Sequence, residues 1–281
     1  MPIDPAVAIG ADLGETSFSW TSSDVLLYHL ALGAEELRYT YERDLVVIPT
    51  FATVAANLRV FDPPAVSFPG VEIDLAKVLH GKQEITLHRP IPVAGKAVAR
   101  ARIADVFDKG KAAVVVQEVA VTSSDGEPLW TARSSIFARG EGGFGGSRGP
   151  SDRVDWPSRA PDLVLDTPTL PQQALLYRLC GDRNPLHADP EFAQAAGFPK
   201  PILHGLCTYG IVARVAIDAL LDGDPARVAS FSTKFAGVVY PGEPLRTSIW
   251  SDSGRHLIRT TAPSRDDTPI LTDTVLTVSS V

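Results

Sequence analysis

One five-residue pattern occurs twice in the chain. Leu-Leu-Tyr-x-Leu stands at residues 26–30, within "VLLYHLALG", and again at 175–179, within "ALLYRLCG", 149 residues further on. Each copy follows a helix-start signal, Thr21-Ser22-Ser23-Asp24 in the first case and Thr167 to Thr169 with Pro171 in the second. A weaker echo follows in the same order, "HRPIPVAG" ending at Gly95 and "AGVVYPG" ending at Gly242, 147 residues apart. Two features in one order at nearly one offset imply duplicated halves. The 281 residues divide accordingly into units at 1–139 and 167–281, with a Gly-, Pro- and Ser-rich linker at 140–166. The linker contains a nominal G-x-G-x-x-G at Gly140, Gly142 and Gly145, but Pro150 and Pro157 follow where a dinucleotide fingerprint needs a helix.

Both halves read as helical segments followed by strands. The first gives a helix near 22–32, a mixed apolar segment at 46–60, and strands near 83–88, 96–108, 111–124 and 128–139, with turns at "DKGK" and "SSDGEP". The second gives a helix over 167–180 and a short helix in "DPEFAQAAG", capped by Asp189 and stopped at Gly197. A long helix then ends at Gly223, and strands lie near 227–239, 244–252, 255–264 and 269–279. The long helix is apolar on nearly every side, so it must be buried almost all round. An antiparallel sheet wrapped around it, twice over, is an α+β architecture, and two such units could extend into one sheet.

A chain 44% hydrophobic and 21% charged can build a sizeable core, and a net charge of −7 argues against a nucleic-acid partner. Cys180 and Cys207 are too few for a disulfide framework or a four-ligand zinc site and read as small buried residues. The N-terminus lacks the pattern of a signal peptide, no apolar run reaches the length of a membrane span, and "VSSV" at the C-terminus is not a peroxisomal address. A cytoplasmic protein is the expectation.

The stretch "CGDRNPLHADP" at 180–190 crowds polar groups onto a segment that cannot be a regular helix. Gly181 suits a left-handed helix end, Pro185 pushes Asn184 toward extended backbone, and Asp189-Pro190 starts the next helix. Asp182, Asn184 and His187 are left on an irregular loop. A carboxylate and an imidazole can share one water and exchange protons with it. The helix start at "HGLC", 204–207, offers backbone N–H groups for a developing oxyanion, and Gly205 lets a ligand come close. On spacing alone, ordinary turn chemistry and a structural histidine explain the stretch somewhat better than function does. A Ser-His-Asp triad is unsupported because no G-x-S-x-G elbow is present.

These residues carry a resemblance. "YRLCGDRNPLHADPEFAQAAGFPKPILHGLCTYG" at 177–210 closely resembles the signature of MaoC-like (R)-specific enoyl-CoA hydratases, the hydratase 2 group, which includes the hydratase domain of peroxisomal multifunctional enzymes of type 2 and actinobacterial relatives. The likeness continues at 78–92, 105–116, 140–146 and 234–245. It implies a double hot-dog fold, usually dimeric. The implied reaction is reversible hydration of a trans-2-enoyl-CoA to a (3R)-3-hydroxyacyl-CoA in fatty-acyl metabolism, with no metal or other cofactor. By position it implies Asp182 and His187 as the catalytic pair, Asn184 as their support, and Gly205 as the oxyanion donor. His80, Gly81, Lys109 and Phe235 fall where the family contacts the CoA ester. The first half lacks the G-D-x-N-P-x-H motif, so one active site per chain is implied, with that half accommodating the acyl tail. The alternatives are a 3-hydroxyacyl-thioester dehydratase of fatty-acid synthesis, a thioesterase, and a non-catalytic acyl-CoA-binding protein.

Overall fold

The computed structural model describes residues 3–62, 66–73, 78–150 and 153–279. In the first half a helical turn α1 (Pro5–Ala8) precedes strand β1 (Asp12–Trp20), helix α2 (Ser22–Ala31) and a short α3 (Leu37–Thr40). Two 3₁₀ turns, Pro49–Thr53 and Ala55–Asn57, and a small hairpin, β2 (Ser67–Phe68) and β3 (Val71–Glu72), lead into four long strands. These are β4 (Val78–Leu87), β5 (Gly95–Asp108), β6 (Ala112–Ser123) and β7 (Pro128–Arg139). The second half has β8 (Leu163–Thr167), α4 (Gln173–Tyr177), α5 (Pro190–Ala195) and the long α6 (Gly205–Leu221), then β9 (Val228–Phe235), β10 (Leu245–Asp252), β11 (Arg255–Ala262) and β12 (Thr268–Val278).

Ten strands form one antiparallel sheet in the order β1-β5-β6-β7-β4-β9-β12-β11-β10-β8. Read inward from either edge the order is the same, with β1 answering β8, β5 answering β10, and β4 meeting β9 at the centre. That junction runs from Lys82↔Lys234 to Thr86↔Ser230. The two halves therefore share one sheet. Tyr28 and Tyr177, the tyrosines of the repeated pattern, meet in the interior with ring centroids 6.1 Å apart. Asp24 secures the start of α2 by accepting from the Thr21 N–H at 2.9 Å and the Thr21 hydroxyl at 2.8 Å.

Helix α6 is buried along most of its 17 residues, as its all-round apolarity requires. It crosses α2 at Gly210, where a Cβ would come within 2.6 Å of Leu32 and 2.8 Å of the Tyr28 hydroxyl. In the first half no long helix answers α6 among the described residues. The apolar segment at 46–60 instead forms the two 3₁₀ turns, and the one at Pro49–Thr53 packs against α6, β4 and β7. Several boundaries differ from the sequence reading: β4 begins at Val78, five residues before the strand expected near 83–88, and β9 ends at Phe235 rather than near 239. Residues 163–167, read partly as linker and partly as helix, form edge strand β8, paired to β10 from Leu163↔Ile249 to Thr167↔Leu245, so the linker stops short of 166. The helix expected over 167–180 begins only at Gln173 and tightens to a 3₁₀ turn at Arg178–Cys180. Strand β1 was not anticipated. Both cysteines are buried and free, and burial pushes the Cys180 thiol up to about 12, away from any reactive thiolate.

Candidate active site

The polar loop begins at a forced glycine. Gly181 has φ +110° and ends the 3₁₀ turn, and a Cβ on it would lie 2.0 Å from the Asn57 carbonyl oxygen of the first half. Only glycine lets the loop sit this close to its neighbouring unit. The loop then stiffens itself. Asp182 Oδ1 accepts from the Asn184 N–H at 3.1 Å, and Asn184 Oδ1 accepts from the Leu186 N–H at 3.0 Å, capping a 3₁₀ turn over Pro185–His187.

His187 is 8% exposed, and its Nδ1 lies 2.9 Å from the Ile202 carbonyl oxygen. A carbonyl only accepts, so Nδ1 carries the proton and Nε2 keeps a bare lone pair. Burial holds His187 below its ordinary value, while the Asp182 carboxylate pulls it back upward. The ring is therefore neutral near pH 7 and can take a proton. A carboxylate oxygen of Asp182 and a ring nitrogen of His187 lie within 4.8 Å. A water at ordinary hydrogen-bond distance, about 2.8 Å, can reach both.

Both groups line a cavity of about 760 Å³ that also takes in Asn184, His80, Gly81, Phe235 and Gly205. That size is in the range of small-molecule sites. The β4–β7 register slips between His80↔Ile136 and Lys82↔Ser135, which leaves Gly81 as the extra residue of a bulge. His80 stands beside that bulge. Its Nε2 is buried without a partner, and burial lowers the ring to about 4. Phe235, the last residue of β9, packs on His80 with centroids 4.6 Å apart and covers the start of α6. A Cβ on Gly205 would meet the Phe235 ring at 3.0 Å. Gly205 is the first residue of α6, so its N–H has no partner inside the helix and is available to a ligand oxygen.

Of the residues singled out in the sequence, the structure gathers Asp182, Asn184, His187, Gly205, His80, Gly81 and Phe235 around one cavity. Lys109 is not in the lining. It sits in the β5–β6 turn, where its ammonium bonds the Arg148 carbonyl. Ala112 pairs with Arg139 and His80 pairs with Ile136, so this turn is at the same end of the sheet as the cavity, two strands away. The sequence reading overlooked Arg139 and Lys234, which line the cavity, and His204, which packs on His187 with ring centroids 3.7 Å apart. No local sequence signal marks His204, because its contact with His187 is made only by the fold.

The nitrogens of His187 and His204 and a carboxylate oxygen of Asp182 lie close enough to suggest a metal site. The rings, however, stack at 28°. Imidazole lone pairs lie in the ring planes, and planes so inclined converge well beyond the roughly 2.1 Å of a metal–nitrogen bond. The arrangement suits proton handling better than chelation.

Residues 18–140 match the "MFE-2 hydratase 2 N-terminal domain" family, and residues 153–265 match the "MaoC like domain" family. The chain is 54% identical to "Enoyl-CoA hydratase ChsH3" of Mycobacterium tuberculosis over 96% of its own length and 97% of that protein's. Its structure resembles the crystal structure of a MaoC-like dehydratase from Phytophthora capsici with a TM-score of 0.91, at 28% identity, over 99% of this chain and 98% of the other. It shares its fold with a Mycobacterium tuberculosis protein described as having a double hotdog fold, at TM-score 0.59 and 13% identity, over 99% of this chain and 98% of that one. With two sheet units fused in one chain and a hydratase 2 loop facing the start of the buried helix, the chain belongs to the MaoC-like hydratase 2 family.

Proposed function

We propose that the protein hydrates trans-2-enoyl-CoA reversibly to (3R)-3-hydroxyacyl-CoA. The observation that carries this reading is the convergence of Asp182, the bare face of His187 and the first N–H of α6 on one cavity. In the forward direction a water held between Asp182 and His187 gives its oxygen to C3 as the pair takes its proton. The electron pair of the double bond moves toward the thioester, and the charge on its oxygen meets the Gly205 N–H. A proton then goes to C2. Hydroxyl and proton both derive from water and no electrons change hands, so the reaction as written needs no cofactor. Asn184 holds the loop in shape and presents its amide to the same cavity.

The thioester end passes between His80, Gly81 and Phe235. Apolar residues of the first unit, among them Val78, Leu79 and Phe137, give the acyl tail a wall away from the catalytic loop. Arg139 at the lining and Lys109 outside it supply positive charge for the phosphates of CoA, whereas Lys234 is paired with Asp273 at 2.9 Å. None of the described helices is long and apolar enough to cross a membrane. A cytoplasmic setting is favoured by two cysteines that stay buried and unpaired, and a homodimer is the assembly expected of the family.

The test is hydration of a short and a long trans-2-enoyl-CoA by the purified enzyme and by its Asp182→Ala and His187→Ala variants. Each substitution is expected to lower kcat by at least about 10²-fold, the scale of acid–base catalysis. Near-normal turnover by both variants contradicts the assignment. Release of free thiol instead of hydrated product would mark a thioesterase.

A further inference from the structure

His204 has no role in the chemistry above, yet it touches both groups that do. It stands at the N-cap of α6, immediately before Gly205, and its side chain caps nothing in the helix. The ring is 1% exposed and lies between two others. On one side it stacks on His187, with centroids 3.7 Å apart and planes at 28°. On the other, Tyr177 of α4 lies at 4.9 Å and 48°. Its Nε2 is 3.4 Å from the Asp182 backbone carbonyl oxygen, and its Nδ1 is buried with no partner.

The carbonyl accepts, so Nε2 carries the proton and Nδ1 is bare. Burial and the neighbouring His187 hold the ring uncharged, so His204 is a neutral imidazole in a fixed tautomer. We propose that His204 is a positioning residue: stacked on His187 and bonded to the Asp182 carbonyl, it fixes the proton-handling loop against the N–H that receives the oxyanion. One rigid ring ties Asp182, His187 and Gly205 together, and these must hold their spacing as charge moves between them. The inference rests on the hydratase reading of this site.

The stack also has an electrostatic consequence. When His187 takes the water's proton it becomes a cation lying against the face of a neutral ring, a favourable arrangement. The charged and titratable groups near His187 are Asp182 and Arg178 on the loop side and His204 from α6. His204 itself faces His187, Arg178 and Tyr177. His80 of β4 also feels the Asp182 carboxylate and is held neutral by burial. A second cation beside His187 would oppose its protonation. Burial and His187 itself both keep His204 uncharged.

Two substitutions separate the contacts. His204→Phe keeps a ring for the stack and removes the bond to Asp182. His204→Gln keeps a donor and removes the stack. Both are expected to lower kcat for enoyl-CoA hydration by about 10- to 100-fold with KM changed less than about threefold, as for a misplaced reacting geometry. Only His204→Gln is expected to move the acidic limb of the kcat/KM pH profile to lower pH, since only it removes the ring that supports a charged His187. Wild-type kcat and an unmoved limb in both variants overturn the proposal. A kcat loss accompanied by an equal shift in both variants also overturns it. Nitrogen-15 NMR of the histidines in the unaltered enzyme gives a readout that needs no variant to fold. His204 should keep the Nε2–H tautomer from about pH 8 down to pH 5.5, a range that spans the ordinary histidine value, and titration within that range refutes the assignment. Failure of the hydratase reading would appear separately, as an unaltered enzyme with no hydration activity.

Discussion

Replacing Gly205 by alanine adds one methyl group at the point where three parts of the site meet. The new Cβ would stand 3.0 Å from Cε1 and 3.1 Å from Cδ1 of Phe235. Carbon atoms pack comfortably at about 3.5–4.0 Å, so a gap of about half an ångström must be opened. Phe235 is also held against His80, at 4.6 Å between centroids, so it cannot yield without disturbing that wall of the cavity. The first turn of α6 yields instead, and the Gly205 N–H swings away from the thioester oxygen. Loss of one oxyanion donor costs about 10²–10³ in kcat, or about 3–4 kcal/mol of barrier. Stability should change little, because alanine is the better helix former and offsets part of the strain. The assay is the initial rate of hydration of crotonyl-CoA, followed by loss of the conjugated thioester absorbance, with thermal unfolding as the control. The double variant Gly205→Ala/Phe235→Leu removes the ring that clashes and should recover about tenfold of the loss if crowding is the cause. A Gly205→Ala enzyme with undiminished kcat would refute both the crowding argument and the role of this N–H.

Three further outcomes follow from the same geometry. Gly181→Ala should destabilise the protein by about 2–4 kcal/mol, since its Cβ meets the Asn57 carbonyl at 2.0 Å in a left-handed backbone, and urea midpoints would measure this. The stability that His29 and His80 contribute should fall as pH drops below 6.5 and be lost near 4. Burial lowers His29 and His80 from 6.5 to about 4, so the unfolded chain binds protons that the folded one refuses, each contributing on the order of 3 kcal/mol; urea midpoints across this range check it, and His80→Gln should flatten the curve. Lys109→Ala should raise KM for an enoyl-CoA by about two- to fivefold, as for an exposed ionic contact, and leave KM for the corresponding pantetheine thioester unchanged.

What the sequence made readable followed from local chemistry. The glycine at 181 does take a left-handed conformation, Asp189 does cap α5 through the Glu191 and Phe192 N–H groups, and the long strands other than β4 and β9 lie close to their expected limits. The repeated tyrosine pattern marked the internal symmetry because Tyr28 and Tyr177 meet in the interior. Strands β1 and β8 escaped notice for a shared reason: they are the two edges of the sheet. β1 is exposed at six of its nine positions, so no apolar alternation marks it. β8 is five residues long and is defined by pairing with β10, about 80 residues later in the chain. His204 was missed because its neighbours matter only after folding. Nothing near it in sequence shows that its ring will lie on His187, 17 positions earlier. The placement of Lys109 outside the cavity depends on the register of β5, β6 and β7, which a turn motif does not encode.

Asp182, His187 and the Gly205 N–H are proposed to add water to one face of an enoyl thioester. The measurement that addresses this most directly is the configuration of the product formed from a trans-2-enoyl-CoA, set beside the same reaction with Asp182→Ala. The unaltered enzyme should form a (3R)-3-hydroxyacyl-CoA, and the variant should lose it almost completely. A (3S) product, or a (3R) product formed equally fast without Asp182, would contradict the assignment.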